Sequence, residues 1–162
     1  MRMPAPMHDP RDVGTLIIQR LGDRMVHSGV LGHMTWLCDG WHLAIEGQRL
    51  CDSRAIAFDT GPGYQGIMDE GHVRGVRSLI GTSHGTPAGL TPRQADIVDH
   101  VLAKYGRMTS SEIGRCVRSP SGAWMSALLS RASRDAEITS AAMLEEFSTL
   151  ARLGREATAE AA

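Results

Sequence analysis

Cys38, Asp39 and His42 lie within five positions, and a second cysteine, Cys51, follows soon after. A thiol, an imidazole and a carboxylate together can make a nucleophile, its base and the group that orients the base. Cys38 and His42 at i and i+4 can also share a metal ion on a helix, with Cys51 as a third ligand. Neither chemistry survives the spacing. On a helix Asp39 projects about 100° away from Cys38, so the three groups do not converge on one reacting atom. No Cys-x-x-Cys pair is present, and His27, His33, His72 and His84 stand at no complementary spacing. Cys38 falls on an apolar stripe and His42 on its edge, where a packed thiol and a hydrogen-bonded core histidine belong. The expectation is no catalytic residue, no metal and no cofactor.

The element that must hold these residues is a helix over 31–46. Met34, Leu37, Cys38, Trp41 and Ile45 follow a helical period, while Trp36 and Leu43 lie on the opposite side. A helix apolar on two faces needs neighbours on both, which makes it the centre of a mainly α, compact multi-helix domain. Trp36, Cys38, Trp41, His42 and Leu43, with Trp124 from the second half, are expected as structural core. Asp9-Pro10 opens a first helix over 10–28, joined to the central one by a link short enough for antiparallel packing. After Gly47 the period changes. Arg49–Cys51 and Ala55–Phe58 read as a small two-stranded β ribbon after the central helix, closed by Gly61-Pro62-Gly63 as a tight turn. Tyr64–Glu70 reads as one or two helical turns, 73–80 as helix or strand, and 81–89 as a loop.

Thr91-Pro92-Arg93-Gln94 is a capping box opening a helix that ends at Tyr105-Gly106. Thr109 to Glu112 opens another, with Ile113, Cys116 and Val117 inward, and further helices follow over 121–133 and 140–153. The domain organisation is then a flexible lead-in over 1–9, a single domain over 10–153 and a flexible C-terminal tail over 154–162. With 162 residues one core is affordable, and a net charge of −1 shows no basic excess, so nucleic acid is an unlikely partner. No apolar run approaches the roughly 18 residues of a membrane span, and Met1–Arg11 lacks a signal-peptide core, so no membrane partner and a cytoplasmic location are expected. Three cysteines at unpatterned spacing are expected as reduced thiols.

Asp39-Gly40-Trp41-His42-Leu43-Ala44, then Gly47, Arg49-Leu50, Phe58 and Gly61-Pro62, resemble the signature of the Panacea domain, the family of SocA-like antitoxins and GepA-type phage-associated proteins. The second half agrees in order. It shows Leu90-Thr91, Lys104-Tyr105-Gly106, Met108-Thr109-Ser110-Ser111-Glu112, Trp124, Ile138-Thr139-Ser140 and Glu146-Phe147. The likeness covers residues 12–151; Gly63 stands where the family carries an apolar residue, and Phe58 where a tryptophan is frequent. The resemblance implies the antitoxin of a toxin-antitoxin system, which neutralises a cognate toxin encoded by an adjacent gene through direct protein-protein binding, and implies no enzyme activity. The alternatives are a proteolytic or regulatory adaptor that delivers a partner protein to a protease and, third, a small metal-dependent hydrolase.

Phe58, Gly61, Pro62, Gly63 and Tyr64 are the expected partner-binding residues, because a turn on a rigid scaffold carries recognition and Tyr64 offers a large, low-entropy contact. The helices on either side of Gly106 could form a helix-turn-helix, but Arg115 and Arg118 are thin for a recognition helix. The terminal Ala161-Ala162 on an unstructured tail would suit a protease or unfoldase as a second partner.

Overall fold

Ser28 to Glu46 form a 19-residue helix, α2, on which the other elements assemble. The computed structural model describes residues 3–22, 25–74, 79–80, 86–130 and 136–161. Met34, Leu37 and Cys38 on one side of α2 and Trp36 and Leu43 on the other are all buried. Two apolar faces must be covered from two directions. Helices α1 (Pro10–Arg20), α3 (Gln65–Arg74), α4 (Pro92–Tyr105), α5 (Ser110–Val117) and α7 (Ser140–Ala161) all touch α2. Helix α6 (Ala123–Ser130) packs on the sheet and on α7. The chain is therefore mainly α, a multi-helix domain with a small sheet.

The helix starts follow their local signals. Asp9 accepts from the Arg11 amide at 2.9 Å with Pro10 in the first turn. Thr91 and Gln94 bond reciprocally, at 3.2 and 3.0 Å. The Thr109 hydroxyl accepts from the Glu112 amide at 3.1 Å. Each satisfies an amide that a helix's own ladder leaves open.

The ribbon differs from its sequence reading. Strand β2 (Ala55–Phe58) pairs antiparallel with β3 (Gly61–Gly63) and with β5 (Ala136–Ile138), giving the order β3-β2-β5. Gly61-Pro62-Gly63 is thus an edge strand and not a turn; Pro62 is tolerated because an edge has a side that needs no ladder donor. A Cβ on Gly32 would lie 3.4 Å from the Gly63 Cα, so two glycines let β3 lie directly on α2. Arg49–Cys51 is no strand of this sheet because the Leu50 and Cys51 amides point at the Asp39 carboxylate. A second pair joins β1 (Val26–His27) to β4 (Leu79–Ile80).

Other boundaries also move. The first helix stops at Arg20, where Gly22 turns the backbone to a φ of 84°, and Met25 is exposed. The expected flexible lead-in is bonded to the body: the Gln48 amide donates to the Ala5 carbonyl at 2.6 Å, Gln94 donates to Pro6 at 2.8 Å, and His8 bridges Cys51. The expected flexible tail continues α7 as helix to Ala161. Cys116 is exposed, since Ile113 and Val117 at i and i+4 take the inward face of α5. Ile45, expected on the buried stripe, is half exposed at the last turn of α2. The readings for 75–78, 81–85 and 131–133 lie outside the described residues; 86–89 has no regular structure.

The tightest contact of α2 is at Gly40, where a Cβ would run into the Phe147 ring. That ring is fully buried, 4.8 Å from Trp36 and 5.5 Å from Trp41 between centroids, so it cannot swing aside. Exposed Gly→Ala within a helix gains about 1 kcal/mol; here overpacking of roughly 1–3 kcal/mol is expected to win. Gly40→Ala should lower the urea midpoint and Phe147→Leu should restore part of it, whereas a higher midpoint would contradict this packing.

Candidate functional site

Asp39 is fully buried, and five donor atoms converge on its carboxylate. Arg49 donates from Nε at 3.0 Å to Oδ1 and 2.9 Å to Oδ2, and from Nη2 to Oδ2 at 2.6 Å. The amides of Leu50 and Cys51 reach Oδ1 at 2.9 and 3.2 Å, and the Tyr64 hydroxyl donates to Oδ2 at 2.7 Å. Each partner is placed by a different local cause. Helix α2 aims Asp39 at the chain that leaves its own C-terminus, and β3 delivers Tyr64 at the entrance of α3. Arg49 also donates to the Ser53 carbonyl at 2.9 Å and the Ser140 hydroxyl at 3.3 Å, tying the loop to the start of α7.

The electrostatics follow from burial. Burial disfavours the Arg49 cation, but the hydrogen bonds and charge of Asp39 outweigh it and hold the guanidinium above its ordinary range. Burial first, and the Asp39 charge second, push the Cys38, Cys51 and Tyr64 protons well above their usual range. Burial therefore favours the neutral thiol at both positions over the thiolate that is the nucleophilic form of cysteine. His42 Nδ1 lies 2.7 Å from the Gln48 carbonyl, not on Cys38 or Asp39. Among the described residues no three His, Cys, Asp or Glu side chains stand close enough together to hold a metal ion. The saturated carboxylate is a structural centre.

The expected core residues are placed as core: Trp36, Cys38, His42, Leu43 and Trp124 are buried, and Trp41 is half-buried against the cluster. The Trp124 indole donates to the Phe58 carbonyl at 2.7 Å and that of Trp41 to the Tyr105 hydroxyl at 3.2 Å. The expected partner-binding segment is corrected. Gly61, Pro62, Gly63 and Tyr64 are buried, and only Phe58 is half-exposed. The reason is the Asp39 carboxylate, which draws Tyr64 inward, and α2, which covers β3. Arg118, one of the two candidate phosphate contacts, donates instead to the Thr60 carbonyl at 2.8 Å.

The surface that does open lies between α2 and α4. Trp41, Ile45, Ile97, Val101 and Tyr105 wall a groove of about 640 Å³, rimmed by Arg93, Asp96, Asp99 and Lys104. Lys104 Nζ sits over two rings, 5.3 Å from the Trp41 centroid and 5.1 Å from that of Tyr105. Sequence reasoning counted Trp41 and Ile45 on the inward stripe and so missed this groove; the half-exposure of Ile45 marks it.

Removing one member of a buried, hydrogen-bonded ion pair strands the other. Asp39→Ala is therefore expected to cost about 3–5 kcal/mol in urea unfolding, and Tyr64→Phe about 1.5–3 kcal/mol. A Tyr64→Phe protein as stable as the parent would remove the hydroxyl from this account.

His33 gives the pH dependence. It is 5 % exposed, its Nδ1 has no hydrogen-bond partner among the described residues, and it packs beside Gly61. Burial and then the Arg118 charge lower its pKa to about 4, against a hydrogen bond with the Thr60 backbone that pulls it up. The unfolded chain, titrating near pH 6.5, takes the proton first. Stability is thus full above about pH 6.5 and falls as the pH drops to about 4, by about 3 kcal/mol. Urea titrations of His33→Gln between those limits should show a shallower loss; an unchanged slope would assign the acid sensitivity elsewhere.

No protein-family model, no curated protein and no solved structure matches this chain.

Proposed function

We propose that this chain is an antitoxin that silences a toxin encoded beside it by direct protein-protein binding, with the α2–α4 groove as the contact surface. The observation that carries the binding reading is the groove itself, where the half-buried Trp41 lines the wall and Ile45, at the last turn of α2, is 50 % exposed. Aromatic side chains in such a depression are the usual energetic centre of an interface. The class of partner rests on the resemblance of Asp39-Gly40-Trp41-His42-Leu43-Ala44 and the later segments to the Panacea signature.

The occupant we assign is an amphipathic helix of the toxin. A groove between two helices takes apolar anchors at i, i+3 or i+4 and i+7. Its rim carries Arg93 and Lys104 at the two ends of α4 with Asp96 and Asp99 between them. A helix with acidic ends and a basic or neutral middle is complementary to that order. The Cys-Asp-His run has no catalytic step in this reading, because the Asp39 oxygens are occupied by Arg49, Tyr64 and two amides.

The test coexpresses the chain with the product of the adjacent gene. Expected are growth arrest by that product alone, relief by this chain, and a complex on copurification. Ile45→Arg should weaken the complex roughly 30-fold, the loss of a contact of about 2 kcal/mol, with an unchanged helical signal. Absence of arrest or relief would overturn the antitoxin reading. Relief that survives Ile45→Arg would move the contact off the groove, and relief that vanishes in a protease-deficient host would favour the delivery adaptor.

A further inference from the structure

Of the four charges on the rim of the α2–α4 groove, two are already paired within the chain: Arg93 with Glu46 at the end of α2, and Asp99 with Arg20 of α1 at 3.7 Å. Among the described residues no carboxylate stands at ion-pairing distance from Lys104. Its neighbours are two rings, with the ammonium 5.3 Å from the Trp41 centroid and 5.1 Å from that of Tyr105. Those rings are fixed. The Trp41 indole donates to the Tyr105 hydroxyl at 3.2 Å, and Trp41 meets Phe147 edge-on at 5.5 Å. Cation–π attraction holds the ammonium over them, so the fold sets its position and the flexible stem does not.

Helical periodicity puts this cation in the mouth of the groove. Arg93, Ile97, His100 and Lys104 recur on α4 at i, i+4, i+7 and i+11, within an arc of about 60°, and all line the groove. Trp41 and Ile45 face them from α2, one turn apart. Because Glu46 meets Arg93 while Trp41 meets Tyr105, the two helices run antiparallel and the groove has two unlike ends. One carries the neutralised Arg93 and the half-exposed Ile45; the other carries Lys104 over its rings. Asp96 lies about 12 Å along α4 from Lys104, and Asp99 about 140° round it, so neither takes up the ammonium.

We propose that a Glu or Asp side chain of the partner's helix seats its carboxylate on Lys104 above the Trp41 and Tyr105 rings, one turn from the apolar side chain that covers Ile45. Lys104 then selects which helices the groove accepts. This rests on the reading of the groove as the toxin contact and names the chemistry the toxin brings to it. A carboxylate there gains a charge-assisted bond partly shielded by the rings, whereas a lysine at the same place sets two cations against each other.

Three stapled amphipathic helical peptides test this, identical except for Glu, Gln or Lys four residues from a leucine anchor. Binding is read by fluorescence of Trp41, which is half-buried while Trp36 and Trp124 are buried. The parent is expected to bind the Glu peptide about fivefold tighter than the Gln peptide, the effect of a partly exposed ion pair, and to lose that preference at high salt. Lys104→Met should abolish the preference, Lys104→Glu should turn it toward the Lys peptide, and Lys104→Arg should keep it. Equal binding of the three, binding of none, or a preference that survives Lys104→Met overturns the proposal. With the adjacent gene's product, Lys104→Glu should weaken the complex about tenfold. A complex that tolerates Lys104→Glu but not Ile45→Arg overturns this inference and leaves the groove as the contact. No complex with the parent overturns the antitoxin reading, and the peptide preference still decides the role of Lys104.

Discussion

A carboxylate with no access to water holds this fold together. Asp39 stands at the middle of the central helix, and taking its charge out of water costs several kcal/mol unless close donors replace the hydration. The five that do so come from the helix exit and from the residue that joins the sheet to α3. Much of the arrangement follows from that requirement. The chain after Glu46 must curl back so that the Leu50 and Cys51 amides face α2. The sheet must lie against α2 so that Tyr64 arrives, and Arg49 must cross to the start of α7. A wrong packing of these elements would leave a buried charge unpaired, so the cluster contributes specificity as well as stability.

The same constraint divides the molecule into scaffold and surface. The Cys38, Asp39 and His42 run has the residue types of a reactive site, but its groups are spent inward. The thiols are held protonated by burial, the carboxylate is saturated, and the imidazole lies against a main-chain carbonyl. Outward-facing capacity lies elsewhere, on the last turn of α2 with the outer face of α4, and on the far half of α7. Ile45, Leu150 and Leu153 are exposed there. A tightly bonded interior with exposed apolar side chains on its helices suits recognition of other proteins.

What was legible in the sequence was local. Asp9-Pro10, the Thr91–Gln94 box and Thr109 placed three helix starts, because a cap involves groups within three residues of one another. Two apolar faces on 31–46 revealed the central helix, since every neighbour must press on those side chains. Gly61-Pro62-Gly63 was misread as a turn, because turn chemistry and a close backbone approach both select glycine, and nothing nearby distinguishes them. Tyr64 was read as a recognition residue for its chemistry, and its chemistry is used inside, on Asp39.

The sequence by itself determined that the chain is mainly helical, which helix is central, and that Trp36, Cys38, His42, Leu43 and Trp124 are interior; these follow from periodicity and transfer free energy, properties of short windows. Only the tertiary structure decided which polar groups meet. Asp39 finds Arg49 ten residues away and Tyr64 twenty-five away, across a loop and a strand. It also decided that the segment over 61–64 is covered while Trp41 and Ile45 border an open groove. Exposure depends on where neighbouring elements end, and no window of sequence carries that information.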